Sequence, residues 1–144
     1  MKRVFRRVVK LLRQVGLACR AELQAFARRG RLSRGTVLYE SFAGNGVVCN
    51  PEAIFREILR SSDLAELRHI WVLNTLSEHT EVQQEFAGNP RVRFVRRRSL
   101  AYVRALATSQ YLVNNATFPA EFSKRFGQIY LNTWHGTPLK RMGY

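Results

Sequence analysis

Residues 36–42 (TVLYESF), a glycine-rich loop at 43–46 (AGNG) and the run Asn50-Pro51-Glu52 form the stretch that decides the fold. The β-branched and aromatic residues predict a strand over 36–42. Asn50 suits the N-cap of a following helix, because Pro51 would take the first helical position and Glu52 would place a negative charge in the first turn. A strand, a glycine-rich loop and a helix in this order predict the first βα unit of an α/β sheet.

The same alternation of strand-like and helix-like segments continues along the chain. Helices are predicted for residues 77–87, for a segment that Ser99 caps, and for a short piece around residues 119–125. Further strands are predicted at residues 70–73 (IWVL), 92–95, 111–114 and 128–133. Strands joined by helical crossovers imply a Rossmann-like, mostly parallel sheet with flanking helices over residues 35–144.

Basic residues are concentrated at the amino-terminal end of the chain. The 144 residues carry 24 Lys and Arg against 10 Asp and Glu, a net charge of +14. Residues 1–34 hold 11 of the basic residues and one acid, a net of +10, which leaves +4 for residues 35–144. The sequence therefore predicts a basic arm at 1–34 attached to a mildly basic α/β domain at 35–144, and not a uniformly basic nucleic-acid binder.

The periodicity of residues 2–29 is that of an amphipathic helix, which Gly30 would end. Gly16 weakens its middle, so two shorter helices are an alternative. The basic residues opposite the apolar stripe are Arg3, Arg6, Arg7, Lys10 and Arg13. This pattern is typical of peripheral docking on an anionic membrane surface, here the cytoplasmic face of the cell membrane. Two alternatives stay open: packing on a neighbouring domain, and retention of a phosphate-rich polymer.

No metal or cofactor site is predicted. Cys19 and Cys49 form neither a CxxC motif nor a cluster with histidine, and both are expected to be buried or half-buried. The three histidines, His69, His79 and His135, share no ligand spacing. No stretch approaches the ~20 apolar residues that cross a bilayer.

Ligands of parallel α/β sheets bind outside the carboxyl ends of the strands, and polar residues cluster at these ends in the sequence. Glu40 and Ser41 lie near the end of the first predicted strand, whereas Asn115 and Thr117 follow the strand at 111–114. We therefore predict that these four residues line a cleft that binds phosphate or an acceptor.

A second group of candidates follows the last predicted strand. His135 lies on the turn after it, and Gly136 allows close approach of backbone or ligand. Thr137 can cap a helix that begins at Pro138, and such a helix start presents N–H groups and a positive dipole end to a phosphate.

Two cations complete this group, because Lys140 and Arg141 add full positive charges within the first helical turn. A histidine base, an anion-binding helix start and two cations are what phosphoryl transfer requires. The alternative is that His135 is a structural turn residue and that both cations face solvent.

Residues 132–140 (NTWHGTPLK) closely resemble the signature of the CDP-glycerol glycerophosphotransferases, the polymerases and primases of teichoic acid. Residues 39–42 (YESF), 49–51 (CNP) and 114–119 (NNATFP) are similar to further blocks of that family in the same order. The resemblance spans residues 36–144. Ala43 and Asn45 depart from it, since many relatives carry bulkier or basic residues there.

The resemblance implies an enzyme of the GT-B type, with two Rossmann-like domains facing a cleft and this chain resembling the first. Such enzymes transfer glycerol phosphate from CDP-glycerol to a lipid-linked poly(glycerol phosphate) acceptor and release CMP. His135 matches the histidine that acts as general base, and Lys140 and Arg141 would counter phosphate charge. Relatives continue into a carboxy-terminal, donor-binding domain beyond these 144 residues, so the chain alone is expected to be inactive.

Two rival functions share parts of this pattern. Half of a different GT-B glycosyltransferase, using a sugar nucleotide, would have the same fold, and fold does not decide chemistry. A non-enzymatic domain that binds nucleic acid or a membrane would account for the basic composition. The concentration of charge in the arm argues against nucleic acid as a partner.

Overall fold

The computed structural model describes residues 2–134, in which a five-stranded, all-parallel sheet is covered by helices. The strands lie in the order β3-β2-β1-β4-β5. They are β1 (Ser33–Glu40), β2 (Arg68–Leu73), β3 (Val92–Arg96), β4 (Ser109–Asn114) and β5 (Ile129–Asn132). The helices are α1 (Lys2–Ala27), α2 (Cys49–Arg60), α3 (Thr80–Glu85) and α4 (Leu100–Thr108). The predicted α/β class with a parallel sheet is confirmed.

Strand order reverses at β1, which pairs with β2 on one side and with β4 on the other. Glu40, the last residue of β1, lies opposite both Val72 and Asn114, and Asn114 lies opposite Asn132 of β5. In open α/β sheets the point of reversal leaves a crevice outside the carboxyl ends of the strands. The carboxyl ends of β1 and β4 therefore mark the place where a ligand is expected.

Both faces of the sheet are buried at its three central strands, β2, β1 and β4, which explains their nearly continuous apolar runs. Leu38 and Leu112 pack with Tyr102 of α4 on one face. Tyr39 and Trp71 pack on the other against Phe55 of α2, whose ring lies edge-on to both at 5.3 and 5.6 Å between centroids. Alternate residues of β1 thus serve opposite cores, and the sheet fixes the position of every strand end.

The amino-terminal arm forms one continuous helix, α1, despite Gly16. Its carboxyl-terminal part packs on the domain, because Gln24 is buried and Arg20 Nε lies 3.7 Å from Glu121 Oε1. Phe5 and Phe26, by contrast, are each 71% exposed. Within residues 2–134 no helix is both long and apolar enough to cross a membrane.

Two predicted helices differ from the structure. Residues 77–87 are divided into a 3-10 turn, Leu76–Glu78, and the shorter α3. Residues 119–125 form no helix but a turn, in which Phe122 N donates to Pro119 O over 2.8 Å. There the ring centroid of Phe118 lies 4.9 Å from that of Phe122 and 5.2 Å from that of Tyr130. This aromatic packing, and not helix propensity, determines the shape of the loop.

Details at single residues also correct the prediction. Asn50 is not the N-cap of α2, because the helix begins at Cys49 and Val48 takes the cap position without a side-chain bond. Both cysteines, Cys19 and Cys49, are exposed and not buried. Ser99 does cap α4 as predicted, and its Oγ accepts a hydrogen bond from Tyr102 N over 3.1 Å.

Candidate functional site

The loop after β1 folds sharply across the carboxyl edge of the sheet. Phe42, Ala43 and Gly44 adopt positive φ angles of 45°, 57° and 89°, a conformation that costs energy for residues with a side chain. Asn74, which follows β2, fastens the loop, since its N donates to Gly44 O and its Nδ2 to Asn45 Oδ1, both over 2.8 Å. Strained backbone that its surroundings hold in place is typical of functional sites.

Ser41 and Asn115, two of the predicted site residues, join this loop to the segment after β4. Ser41 Oγ donates to Val48 O over 2.9 Å and accepts from Asn115 Nδ2 over 3.1 Å. Asn115 Oδ1 accepts from Phe42 N over 2.8 Å. Both side chains are fully buried. They form the wall of the crevice, and their polar atoms are hydrogen-bonded to other groups of the protein.

Glu40 is fully buried at the end of β1 and pairs with Arg97, whose side chain is 12% exposed. Arg97 Nε lies 3.2 Å from Glu40 Oε1. Burial raises the pKa of Glu40 above its usual range, and the charge of Arg97 opposes that rise. The Tyr102 hydroxyl is buried beside the same carboxyl group and, like Arg97, opposes the rise in its pKa. Glu40 thus holds Arg97 in place and does not face the crevice.

Thr117 is the exposed member of the four predicted residues that the structure describes, the others being Glu40, Ser41 and Asn115. The turn that carries Thr117 is fixed at Ala116, whose N donates to Asn114 Oδ1 over 2.6 Å and whose O accepts from Asn132 Nδ2 over 3.2 Å. The side chain of Thr117 is therefore presented at the carboxyl edge of β4 and β5.

The backbone after β5 is anchored at three points beside the crevice. Thr133 N donates to Asn114 O over 2.8 Å, and Trp134 N donates to Asn132 Oδ1 over 3.0 Å. Asn50, in the first turn of α2, donates its Nδ2 to Trp134 O over 3.0 Å. These bonds bring the segment that immediately precedes His135 to the carboxyl edge of the sheet, next to α2 and to the turn at 115–117.

The predicted residues His135, Gly136, Thr137, Lys140 and Arg141 lie outside the described residues. The predicted membrane-binding residues Arg6, Arg7 and Lys10 are exposed on α1, and the side chains of Arg3 and Arg13 lie outside the description.

The sequence analysis missed a basic cavity of about 560 Å³ at the same edge of the sheet. Its lining is formed by Ala43, Asn74 and the four residues Arg96, Arg97, Arg98 and Ser99. Three consecutive arginines at the end of a predicted strand were the signal that should have found it, since strand ends are where ligands bind. The larger concentration of charge in the arm obscured this group.

His69, in contrast, belongs to the core of the domain and not to the crevice. His69 is buried, its Nδ1 lies 3.1 Å from the Tyr39 hydroxyl, and burial lowers the pKa of His69 to about 4. Across residues 2–134, no three His, Cys, Asp or Glu side chains gather as metal ligands would.

Comparison with known proteins gives one consistent result. The family model of CDP-glycerol:poly(glycerophosphate) glycerophosphotransferase matches residues 22–144. The teichoic acid poly(glycerol phosphate) polymerase of Bacillus subtilis (strain 168) is 36% identical over 116 residues, which are 81% of this chain and 14% of that protein. The teichoic acid glycerol-phosphate transferase of Staphylococcus aureus (strain NCTC 8325 / PS 47) is 31% identical over 111 residues, 77% of this chain and 26% of that protein.

Solved structures agree with the fold. The wall teichoic acid polymerase TagF superposes with a TM-score of 0.70 at 23% sequence identity, over 99% of this chain and 33% of that one. The chain thus spans about a third of this solved relative and a quarter or less of the curated polymerases that it matches.

Proposed function

The chain belongs to the CDP-glycerol:poly(glycerophosphate) glycerophosphotransferase family, and from this we propose that it forms the acceptor-side half of a teichoic acid glycerophosphotransferase. The substrates are CDP-glycerol as donor and a lipid-linked poly(glycerol phosphate) chain as acceptor, and CMP is released. One observation carries the proposal: the backbone that leads into the family's histidine motif is pinned at the crevice between β1 and β4.

His135 acts in this proposal as the general base. The terminal hydroxyl of the acceptor loses its proton to His135 as its oxygen bonds to the glycerol-phosphate phosphorus of the donor. The bond from that phosphorus to the CMP oxygen breaks, and CMP leaves with the electron pair. Gly136, Thr137, Lys140 and Arg141 supply N–H groups and positive charge around the phosphate, which is most of what phosphoryl transfer asks of a protein.

The described site residues have two roles: some shape the crevice, and one is exposed to contact the substrate. Glu40, Ser41 and Asn115 are buried and bonded to protein groups, so they shape the crevice. Thr117 is exposed at its rim and contacts the acceptor in our proposal. A second Rossmann-like domain, which binds the donor, would face this edge as in GT-B enzymes. The matched segments are 25% and 14% of two curated polymerases, so those relatives are long enough to hold a second domain.

The arm is proposed to hold the enzyme on the cytoplasmic face of the cell membrane, where a lipid-linked acceptor is found. Phe5 and the neighbouring Arg6, Arg7 and Lys10 are exposed on α1, as an interfacial helix requires. The alternative of packing on the domain applies to the other end of the helix, where Gln24 is buried.

The proposed function is tested in a chimera, in which residues 22–144 replace the matching segment of the Bacillus subtilis polymerase. We expect the chimera to release CMP from CDP-glycerol when acceptor is present, and His135→Ala to lower that rate by about 10²–10⁴-fold. Arg60→Ala is the control, because Arg60 is an exposed residue in the last turn of α2, at the opposite end of that helix from Asn50, which anchors Trp134. Its rate should stay within about twofold of the parent chimera.

Two results would contradict the proposal. A His135→Ala chimera that keeps the parent rate would remove the histidine from the mechanism. A folded chimera that transfers a sugar from a sugar nucleotide, and no glycerol phosphate from CDP-glycerol, would favour the rival glycosyltransferase.

A further inference from the structure

The cavity of about 560 Å³ lies beside the crevice, at the carboxyl ends of β2 and β3. Arg96 is the last residue of β3, and Arg97 N donates to Leu73 O over 2.7 Å, which holds the start of the arginine run against β2. The strained loop at Ala43 forms the opposite wall. The cavity therefore shares one wall with the crevice that the catalytic histidine motif approaches.

The three arginines are not equivalent. Arg97 is committed to Glu40, and this pair fixes its guanidinium in the cavity wall. Arg96 and Arg98 are exposed, and across residues 2–134 their side chains make no hydrogen bond and no ion pair. Guanidinium groups without a carboxylate partner, held near one another in a concave site, are suited to bind phosphate oxygens in pairs.

The net charge of the cavity is positive. The described residues of its lining include three cations and no carboxylate, and the buried Glu40 behind it offsets one of the cations. The amino-terminal end of α4 begins at the same wall, and its capped first turn adds the positive end of a helix dipole. Such a site favours an anion with more than one negative oxygen.

The lining also limits what the anion can be. Among residues 2–134, none of those that line the cavity is aromatic, so this part of the chain offers no ring there on which a nucleobase could stack. The volume falls in the range of ordinary ligand pockets and exceeds what one phosphate group fills. Both features favour a flexible chain of phosphodiesters over a nucleotide.

We propose that the Arg96–Arg98 cavity binds an internal phosphodiester of the anionic acceptor polymer, while the terminal hydroxyl of that polymer occupies the neighbouring crevice. This inference rests on the proposed function for the identity of the polymer. It assigns the donor nucleotide to another site, and it predicts that acceptors with several phosphodiesters bind better than those with one.

The test measures binding of a short synthetic oligo(glycerol phosphate) to the full 144-residue chain by titration calorimetry. The double variant Arg96→Gln/Arg98→Gln should bind at least about tenfold more weakly than the parent, because each charged hydrogen bond to a phosphate contributes substantially to affinity. Arg97 is left intact, since its loss would strand the buried Glu40. Thermal unfolding of each variant verifies that the fold is kept.

The matched control is Arg93→Gln/Arg104→Gln, which removes the same charge from two exposed arginines of a smaller basic cavity, of about 270 Å³, at the opposite ends of the strands. We expect its affinity to stay within about twofold of the parent. Separate titrations with CDP-glycerol and with inorganic phosphate distinguish the sources of the phosphate. CDP-glycerol should bind equally to the parent and to Arg96→Gln/Arg98→Gln, and inorganic phosphate more weakly than the oligomer.

Equal loss in both double variants would overturn the proposal, because binding would then follow overall charge. So would failure of the parent chain to bind the oligomer, or a selective loss of CDP-glycerol affinity in Arg96→Gln/Arg98→Gln. This measurement involves no catalysis. The proposal of a phosphodiester site can therefore be wrong while the chimera with an intact His135 is active. The reverse outcome is equally recognisable.

Discussion

Glu40 illustrates how the role of a single residue depends on partners that are distant in sequence. Its position at the end of a predicted strand indicated a ligand-facing acid, but the structure pairs it with Arg97, 57 residues further along the chain. A carboxylate that is fully buried requires such a cation, because loss of hydration would otherwise drive it to the neutral form. The position of the residue was predictable from the sequence, and the direction of its side chain was not.

His69 gives the stability of the protein a definite pH dependence. Burial, aided by the charge of Arg91, lowers the pKa of His69 from 6.5 to about 4. Between these values the unfolded chain takes up a proton that the folded chain does not, so the free energy of unfolding should fall as the pH drops from 6.5 to 4. Each pH unit in that window costs up to about 1.4 kcal/mol, or about 3 kcal/mol in total.

Urea denaturation of the parent and of His69→Asn across this window measures the effect. The variant keeps an acceptor for the Tyr39 hydroxyl but has no imidazole to protonate. Burial raises the pKa of Glu40, which makes stability fall with rising pH above about 4.5, opposite in sign to His69. Glu40 is common to both proteins and cancels in their difference. Parallel curves for the two proteins would show that His69 does not titrate between folded and unfolded states.

The loop after β1 is an element whose shape depends on one glycine. Gly44 has φ +89°, and a Cβ there would lie 3.0 Å from Asn74 N and 3.2 Å from Arg97 Cδ. An alanine at this position must therefore strain the backbone and displace the end of β2 or the arginine wall.

We expect Gly44→Ala to lower the free energy of unfolding by about 1–3 kcal/mol in chemical denaturation. Gly88→Ala is the control, because nothing lies within 4 Å of its added Cβ and its φ is not in the left-handed range. If both substitutions lowered the free energy of unfolding by the same amount, this account of the loop would be wrong.

Strands and helices were predictable where local pattern and tertiary packing agree. β2 and β4 lie close to their predicted positions, because uninterrupted apolar runs suit a sheet that is buried on both faces. The prediction failed around residues 119–125, where Phe118 and Phe122 pack on Tyr130 of the last strand. It also failed at Asn50, which bonds to Trp134 O, 84 residues away, instead of capping its helix. In each case a contact from elsewhere in the chain overrides a local preference.

At the scale of the whole molecule, charge is divided between two regions with different roles. The arm carries +10 of the net charge, with Phe5 exposed beside its basic residues. The domain also carries unpaired arginines, among them Arg96 and Arg98 in the cavity beside the crevice. In our proposal the first region meets a lipid surface and the second meets the polymer that grows from it. The sequence showed the arm clearly, because 11 basic residues and one acid fall within its 34 residues, whereas the cavity required the fold to bring Ala43, Asn74 and Arg96 together.

We expect the arm to bind vesicles that contain an anionic lipid. Arg6→Gln/Arg7→Gln/Lys10→Gln should weaken sedimentation with such vesicles by at least about tenfold, since each cation near the surface adds about 1 kcal/mol of attraction. Arg28→Gln/Arg29→Gln/Arg31→Gln removes the same charge at the end of the arm that packs on the domain, and it should have a much smaller effect. Equal losses in the two triple variants would mean that net charge alone draws the protein to the vesicles. If deletion of residues 1–19, which spares Gln24 and β1, left binding unchanged, the amino-terminal part of α1 would be no membrane anchor, and its exposed apolar residues would be available to another protein surface.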